Sequence, residues 1–255
     1  MDALNMGAVW VEISIRAHHL TPADLGIFTV LVHILGYTFY ISRSLAGTVE
    51  PNDTTWFIFM YSTFITLVLE YTIGAAGYLL YLPLACAIGS FIVASFCLLR
   101  GGFGWPKHPH DRDALYKDIA LTVVYVVAAA MYYYAHALFA DYAERIEDIK
   151  FTALAVFLIF SNWSTFYAFR PIIRDARENP EREHSLAWIT WTIAYVLLGI
   201  TTVWGWFDEG AQNPLMLFLL ILYPVSCAYL HGMLAWLARP SRHGGKPVSV
   251  PAPAE

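Results

Sequence analysis

Seven stretches of this chain run for about 20 residues each with almost no charge, and that pattern restricts the fold more than any other feature. The hydrocarbon core of a bilayer is about 30 Å thick, and a helix of about 20 apolar residues crosses it. Backbone polar groups must be bonded internally in lipid, so each stretch is predicted to be a helix. The chain is therefore predicted to be an all-α integral membrane protein with seven transmembrane helices, near residues 25–42, 54–74, 77–99, 119–140, 151–170, 186–207 and 214–238.

Composition agrees with a membrane protein and argues against a nucleic-acid partner. Of the 255 residues, 58% are hydrophobic and only 14% are charged, whereas soluble domains carry about 25% charged residues. The basic residues form no continuous stripe, so we expect a lipid bilayer around the chain and no nucleic-acid partner. Three cysteines, Cys86, Cys97 and Cys227, fall inside apolar stretches without metal-ligand spacing. We interpret them as small core residues.

Orientation follows from the lysines and arginines in the connections. Positive residues concentrate on the cytoplasmic side of membrane proteins, which predicts an outside N-terminus and a cytoplasmic C-terminus here. The mixed charges between the fifth and sixth helices, from Arg174 to Glu183, are interpreted as a solvated run. Three basic residues, Arg16, Arg145 and Lys150, are predicted on the outer face. The other twelve are predicted on the cytoplasmic face: Arg43, Arg100, Lys107, Arg112, Lys117, Arg170, Arg174, Arg177, Arg182, Arg239, Arg242 and Lys246.

The chain also repeats itself. Residues 40–43 lead through a turn with Pro51 to a second helix that opens near Trp56, and residues 171–174 lead in the same way to Trp188. The third helix of each half carries a matching segment, in which Pro83 precedes Cys86 and Pro224 precedes Cys227 by three residues. Many transporters are built from internal repeats with the solute between them.

The repeat predicts a 3+1+3 arrangement. The halves are 25–100 and 151–238, and one linker helix lies in 101–150. A single linker helix keeps both halves in the same orientation, so they should be parallel pseudo-repeats about an axis along the membrane normal. The flanking parts are an extracytoplasmic segment at 1–24 and a tail at 239–255, which we expect to be disordered because it is rich in proline and glycine.

The paired turns resemble those of the PQ-loop and SWEET superfamily. Residues 47–56 read GTVEPNDTTW, which is similar to the G-x-x-x-P-N-x-x-[ST]-W turn of uncharacterised bacterial PQ-loop-like membrane proteins. The resemblance covers roughly residues 25–238. It implies three helices, a linker and three helices, an outside N-terminus, location in a bacterial inner membrane, and transport of a small solute.

Polar side chains inside the apolar stretches are the first candidates for a site, because ionisable groups are costly at membrane depth. His33 and Tyr37 are four residues apart and share one helix face, as Thr66 and Glu70 do on the next helix. Glu70 could carry a coupling proton or reach the outer headgroups, and His33 could meet a solute or bond a neighbouring helix. Asn162 and His231 add an amide and a second imidazole in the later half.

Tryptophans open the second helix of each half, and two interpretations remain open for them. Trp56 and Trp188 could anchor the chain at the membrane interface. Alternatively, they could stack on a ligand from symmetric positions. We predict a polar cavity between the halves, lined by His33, Tyr37, Glu70 and Asn162, with the two tryptophans near its cytoplasmic mouth. His231 is a further candidate for solute binding.

Three functional classes compete. The leading prediction is a transporter for a sugar-like or nucleoside-like solute, proton-linked through Glu70, with no cofactor. The alternatives are a non-transporting subunit or receptor in a homo-oligomer or larger membrane complex, and a haem or pigment binder using His33 and His231. A retinal protein is excluded because no lysine lies in the last helix. No hydrolase motif such as G-x-S-x-G occurs, so we expect no enzyme.

Overall fold

A computed structural model describes residues 20–101, 106, 108–138, 143–210 and 213–239. Every regular element in those ranges is helical, which confirms the all-α prediction. The predicted terminal segments at 1–24 and 239–255 lie almost wholly outside them. The helices are α1 (Pro22–Leu45), α2 (Asp53–Thr72), α3 (Gly77–Gly101), α4 (Pro109–Leu138), α5 (Ala143–Ala168), α6 (Arg170–Glu178), α7 (Ser185–Asp208) and α8 (Pro214–Leu237), with a 3-10 turn at Pro180–Arg182.

Local sequence signals set the helix starts. Thr21 and Asp24 form a capping box at α1, in which the Asp24 amide donates to Thr21 Oγ1 over 3.2 Å. The Asn52 side chain caps α2 by accepting from the Thr55 amide at 2.9 Å. At the other end of α2, Gly74 has a φ of +90°, a left-handed conformation that glycine adopts readily. These signals explain why five of the seven predicted helices begin within about three residues of the observed starts.

Six stretches of helix are long and apolar enough to cross a membrane, which supports an integral membrane protein. The chain's outer surface agrees, since large apolar side chains such as Phe28 and Leu31 on α1 are more than half exposed. Helix α2 falls outside the six because its apolar residues alternate with threonines and Glu70. Those polar side chains, including Thr63 and Thr66, are buried in the bundle instead. The seventh transmembrane helix therefore stays a prediction.

Helix neighbours define the bundle. Helix α3 packs against both α1 and α2, and α8 packs against both α7 and α5. Two further contacts, α1 with α7 and α2 with α5, join the first three long helices to the last three. Helix α4 lies against α5 and α2. The largest hydrophobic core runs through the junction of α1, α2 and α7 and includes Tyr40, Trp56, Trp188 and Trp191.

The connections after α1 and α5 meet on one face, which we call the basic face. Asn52 Nδ2 donates to Asp175 Oδ2 over 2.6 Å, and Arg182 pairs with Glu50 at 3.1 Å. Both bonds join the connection after α1 to the connection after α5. The predicted grouping of these connections on one side of the bundle agrees with these contacts.

The charged run after α5 is not simply solvated, so that interpretation was wrong. Residues 170–178 form a helix whose Ile172 and Ala176 are buried against the bundle. Arg174 binds Asp111, in the first turn of the linker helix α4, at 2.8 Å and Asp175 at 2.7 Å. Burial and pairing therefore hold this segment across the end of the bundle.

Candidate functional site

A buried cavity of about 30 Å³ lies where α1, α2, α3, α5, α7 and α8 meet. A water molecule needs at least about 10–15 Å³ of such space, so the cavity has room for about two waters. Helices from both predicted halves contribute to its wall. The lining residues are His33, Tyr37, Trp56, Phe59, Ser62, Thr63, Thr66, Cys86, Thr165, Ala168, Phe169, Trp191, Tyr195, Tyr223, Cys227 and His231.

His33 is the most unusual of these groups. It is 1% exposed, and neither of its ring nitrogens has a hydrogen-bond partner among the described residues. Its ring lies 5.2 Å from Tyr37 and 5.4 Å from Tyr195, with both contacts edge-on. Burying a polar group without a hydrogen bond costs free energy. A water or a bound solute in the cavity would give these nitrogens the partner that the protein does not.

His231 has a defined hydrogen-bonding role. Its Nδ1 lies 2.7 Å from the carbonyl oxygen of Cys227, which can only accept, so Nδ1 carries the proton. In the neutral imidazole, Nε2 is then an acceptor. The ring makes tilted contacts with Tyr195 and Trp188, with centroid distances of 4.9 and 5.4 Å. The cavity thus has one fixed acceptor on α8 and one unpartnered imidazole on α1.

Indoles build the wall nearest the basic face. The ring centroid of Trp191 lies 4.9 Å from that of Trp188, in an edge-on contact, and 6.0 Å from that of Trp56, in a tilted one. Its Nε1 donates to the carbonyl oxygen of His33 over 3.1 Å. This indole packs directly against the backbone of α1 at Gly36. A Cβ there would come within 2.4 Å of Trp191 Nε1, so only glycine allows the approach.

Hydroxyl and thiol groups line the opposite wall. Tyr37 donates to the Cys86 carbonyl oxygen over 3.1 Å and lies 2.9 Å from Ser90 Oγ. Tyr195 bonds the Tyr223 hydroxyl at 3.2 Å. Cys86 and Cys227 border the cavity as well. The cysteines of the two matching proline segments therefore face shared space, whereas the sequence interpretation made them core residues only.

The predicted site residues fall into two groups. His33, Tyr37, Trp56 and His231 line the cavity. Trp188 is one layer behind it, fully buried against Trp191 and His231.

Glu70 and Asn162 are buried but do not line the cavity. Glu70 is 4% exposed near the end of α2 and interacts electrostatically with Tyr223. Asn162 Nδ2 donates within α5 to the Leu158 carbonyl oxygen over 2.9 Å, and its Oδ1 has no partner among the described residues. The structure does not bring Glu70 and His33 together in one wall, because His33 lines the cavity and Glu70 does not.

Tyr195 and Tyr223 are among the lining residues that sequence reasoning missed. Tyr195 is four residues after Trp191 and seven after Trp188, so the face that carries both tryptophans also carries Tyr195. Tyr223 directly precedes Pro224, the proline of the matching segment. Helical periodicity from the tryptophans could have found Tyr195, but no pattern in the sequence singles out Tyr223.

Glu183 is a further buried carboxylate and lies outside the membrane-spanning helices. It is 8% exposed, and its Oε2 accepts from Trp188 Nε1 over 2.9 Å. Burial raises the pKa of Glu183 to about 8, and the nearby Asp175 carboxylate adds to the rise, while the Trp188 bond opposes it. The structure records no salt bridge to Glu183 from any described residue. A titratable group therefore lies directly against the aromatic wall.

The chain matches no family model, no curated protein and no solved structure.

Proposed function

We propose that this chain is a membrane transporter for a small polar solute, with the cavity between α1, α2, α7 and α8 as the solute site. The observation that carries the proposal is the unpartnered His33 imidazole in a buried cavity of the bundle. Polar groups at membrane depth are retained where they meet water, ligand or each other. His33 makes ring contacts with Tyr37 and Tyr195, but its two ring nitrogens have no hydrogen-bond partner among the described residues.

Helix neighbours favour a bundle of two three-helix halves. In each proposed half, the third helix packs against the other two, as α3 does with α1 and α2 and α8 does with α7 and α5. The contacts between halves also correspond, because the first helix of each meets the second helix of the other. We therefore retain the 3+1+3 parallel pseudo-repeat of PQ-loop or SWEET type as part of the proposal.

The proposal treats this conformation as one without room for the solute. About 30 Å³ accommodates water but not a sugar or nucleoside. Solute binding then requires the α1–α7 and α2–α5 contacts to separate. The proposal places the basic face in the cytoplasm, the N-terminus outside and the chain in a bacterial inner membrane, following the charge distribution and the family resemblance.

Uptake into proteoliposomes tests the proposal. We expect the reconstituted protein to accumulate a labelled monosaccharide or nucleoside above the level of empty liposomes. His33→Phe keeps an aromatic ring of similar size but removes both nitrogens, so uptake should fall at least about tenfold, as loss of a buried polar contact would produce.

Leu31→Phe is the matched control, because Leu31 is 59% exposed on the outer surface of the same helix. It should transport like the unchanged protein. Absence of uptake for every solute, or normal uptake by His33→Phe, would contradict the proposal.

A second candidate function, a subunit of a larger membrane assembly, rests on a different feature. An apolar groove of about 670 Å³ opens between α1 and α3 on the outer surface and is lined by side chains such as Ile34, Leu84 and Ile88. A partner helix of a homo-oligomer or complex could fill it. Recovery of the purified protein as a stable complex, with no uptake activity, would favour this candidate.

Haem binding receives no support from the geometry. His33 and His231 both pack against Tyr195, with ring centroids at 5.4 and 4.9 Å. We do not propose a cofactor.

A further inference from the structure

Glu183 lies between the basic face and the aromatic wall of the cavity. It directly follows the 3-10 turn at Pro180–Arg182, and its carboxylate accepts from the Trp188 indole at 2.9 Å. Trp188 is 0% exposed, and its ring contacts Trp191 edge-on at 4.9 Å and His231 at a tilt at 5.4 Å. Trp191 and His231 both line the cavity. One hydrogen bond and one ring contact therefore connect Glu183 to the proposed solute site.

Two nearby cations, Arg182 and Arg174, are engaged by other carboxylates, and the third, Arg43, forms no recorded salt bridge with Glu183 in the described part of the chain. Arg182 pairs with Glu50 at 3.1 Å, and Arg174 binds Asp111 and Asp175. The titratable and charged groups around Glu183 are Tyr40 on α1, Asp175 on α6, the adjacent His184 with Arg43 near it, and the Glu50–Arg182 pair. Asp175 repels a negative charge at Glu183. An ionised Glu183 is thus poorly accommodated in this closed arrangement, and a neutral one is well accommodated.

We propose that Glu183 is a proton-operated latch on the basic-face mouth of the cavity: the neutral carboxyl keeps the Trp188 layer closed, and loss of the proton opens it. The inference rests on the proposed transport function and assigns its proton-binding group to Glu183 instead of Glu70. Ionisation favours hydration of the carboxylate. Residues 180–184 then move toward water, and Trp188 loses the acceptor that holds its indole.

Linkage fixes the direction of the pH effect. The pKa of Glu183 is about 8 in the closed arrangement, against an ordinary value of 4.5 for a hydrated glutamate. The closed form therefore binds more protons, and opening becomes easier as pH rises from about 4.5 to about 8. Each pH unit inside that window changes the opening equilibrium by up to about tenfold. Above about pH 8 the dependence should level off.

The native Cys227 reports opening, because it is buried and borders the cavity. A small thiol reagent is applied to the purified full-length protein, and modification of Cys227 is quantified by peptide mass spectrometry. Each rate is divided by the rate of the same peptide in denatured protein at that pH, which removes the thiol's own pH dependence. We expect this ratio to rise by about tenfold or more between about pH 5 and pH 8.

Glu183→Gln keeps an oxygen acceptor for Trp188 but cannot ionise, so its ratio should stay low at every pH. Glu181→Gln, two residues earlier on an exposed side chain, is the matched control and should follow the unchanged protein. A ratio that does not change with pH in the unchanged protein would overturn the latch, even if Glu183→Gln fails to fold. So would a pH dependence that survives in Glu183→Gln.

The labelling measurement needs no solute, so it separates the two proposals. A latch that responds to Glu183 without solute uptake would leave the latch standing and remove the transport function. Solute uptake with a labelling ratio that does not change with pH would leave the transport function standing and remove the latch.

Discussion

Trp56 and Trp188 begin the second helix of each proposed half, and their surroundings are alike in packing but different in chemistry. Both indoles are almost fully buried, and both make edge-on or tilted ring contacts with Tyr40 and Trp191. Trp56 Nε1 donates to the phenol of Tyr40 over 3.1 Å, whereas Trp188 Nε1 donates to the carboxylate of Glu183 over 2.9 Å. One acceptor is a neutral hydroxyl and the other can ionise.

The difference shows how one of two repeated segments can become sensitive to pH while the other does not. A phenol keeps its proton up to about pH 10, so the Trp56 bond is the same throughout the physiological range. The Trp188 bond changes character when Glu183 titrates. Two packing sites of similar stability can therefore respond differently to pH, and only the later half carries the response.

The largest expected effect tests the likeness in packing. Trp56→Ala and Trp188→Ala should each lower the free energy of unfolding by about 3–5 kcal/mol, because each removes a fully buried indole and leaves a cavity. Thermal unfolding in detergent gives the comparison. Trp163→Ala is the control, since Trp163 is 63% exposed on α5, and it should change stability by less than about 0.5 kcal/mol. A large gap between the two buried variants would mean that the sites are not alike in packing.

A smaller effect tests the difference in chemistry. Glu183 has a pKa of about 8 in the folded protein, so its contribution to stability is present at low pH and lost as pH rises through 8. Trp188→Phe removes a hydrogen-bond donor that favours the ionised form of Glu183, so the pKa of Glu183 rises. The variant then loses more stability than the unchanged protein as the pH rises. Its cost should grow from about 1 kcal/mol near pH 6 to about 1.5–3 kcal/mol above pH 8.

Trp56→Phe is the matched variant, and it should cost about 1 kcal/mol at both pH values because its acceptor does not titrate. Unfolding midpoints of the two variants at each pH measure the contrast. Parallel pH profiles for the two phenylalanine variants would remove the chemical difference between the halves.

The smallest effect concerns the joint between the two turns. Arg182 and Glu50 form an ion pair whose side chains are 56% and 68% exposed. Arg182→Gln should therefore cost less than about 1 kcal/mol, and the cost should shrink in high salt. Unfolding midpoints at low and high ionic strength measure it, with the exposed Arg177→Gln as control. A loss of several kcal/mol would show that this pair, rather than the buried tryptophans, holds the halves together.

Helix positions could be predicted because they depend on local chemistry. Apolar length gave the α7 and α8 bounds almost to the residue, and Asn52 and Asn213 mark helix starts that they cap. The starts of α4 and α5 were predicted about ten and eight residues too late. Their first turns are charged, and apolar length does not detect such turns.

Cavity residues were predictable only where one helix face carries several polar or aromatic groups. His33 and Tyr37 share a face of α1, and both reach the cavity. Glu70 shares a face with Thr66, yet Thr66 lines the cavity and Glu70 does not. Periodicity gives a direction around the helix axis, but the depth at which neighbouring helices meet it depends on their packing.

By itself, the sequence determined that the chain is helical and that it suits a membrane, because apolar length acts locally. The tertiary structure decided which polar groups meet. Among the described residues it left the His33 nitrogens without a hydrogen-bond partner, and it buried Glu183 against Trp188, although Glu183 stands in a charged run that the sequence marks as solvated. Burial depends on which surfaces cover a residue, and those surfaces come from segments distant in the chain.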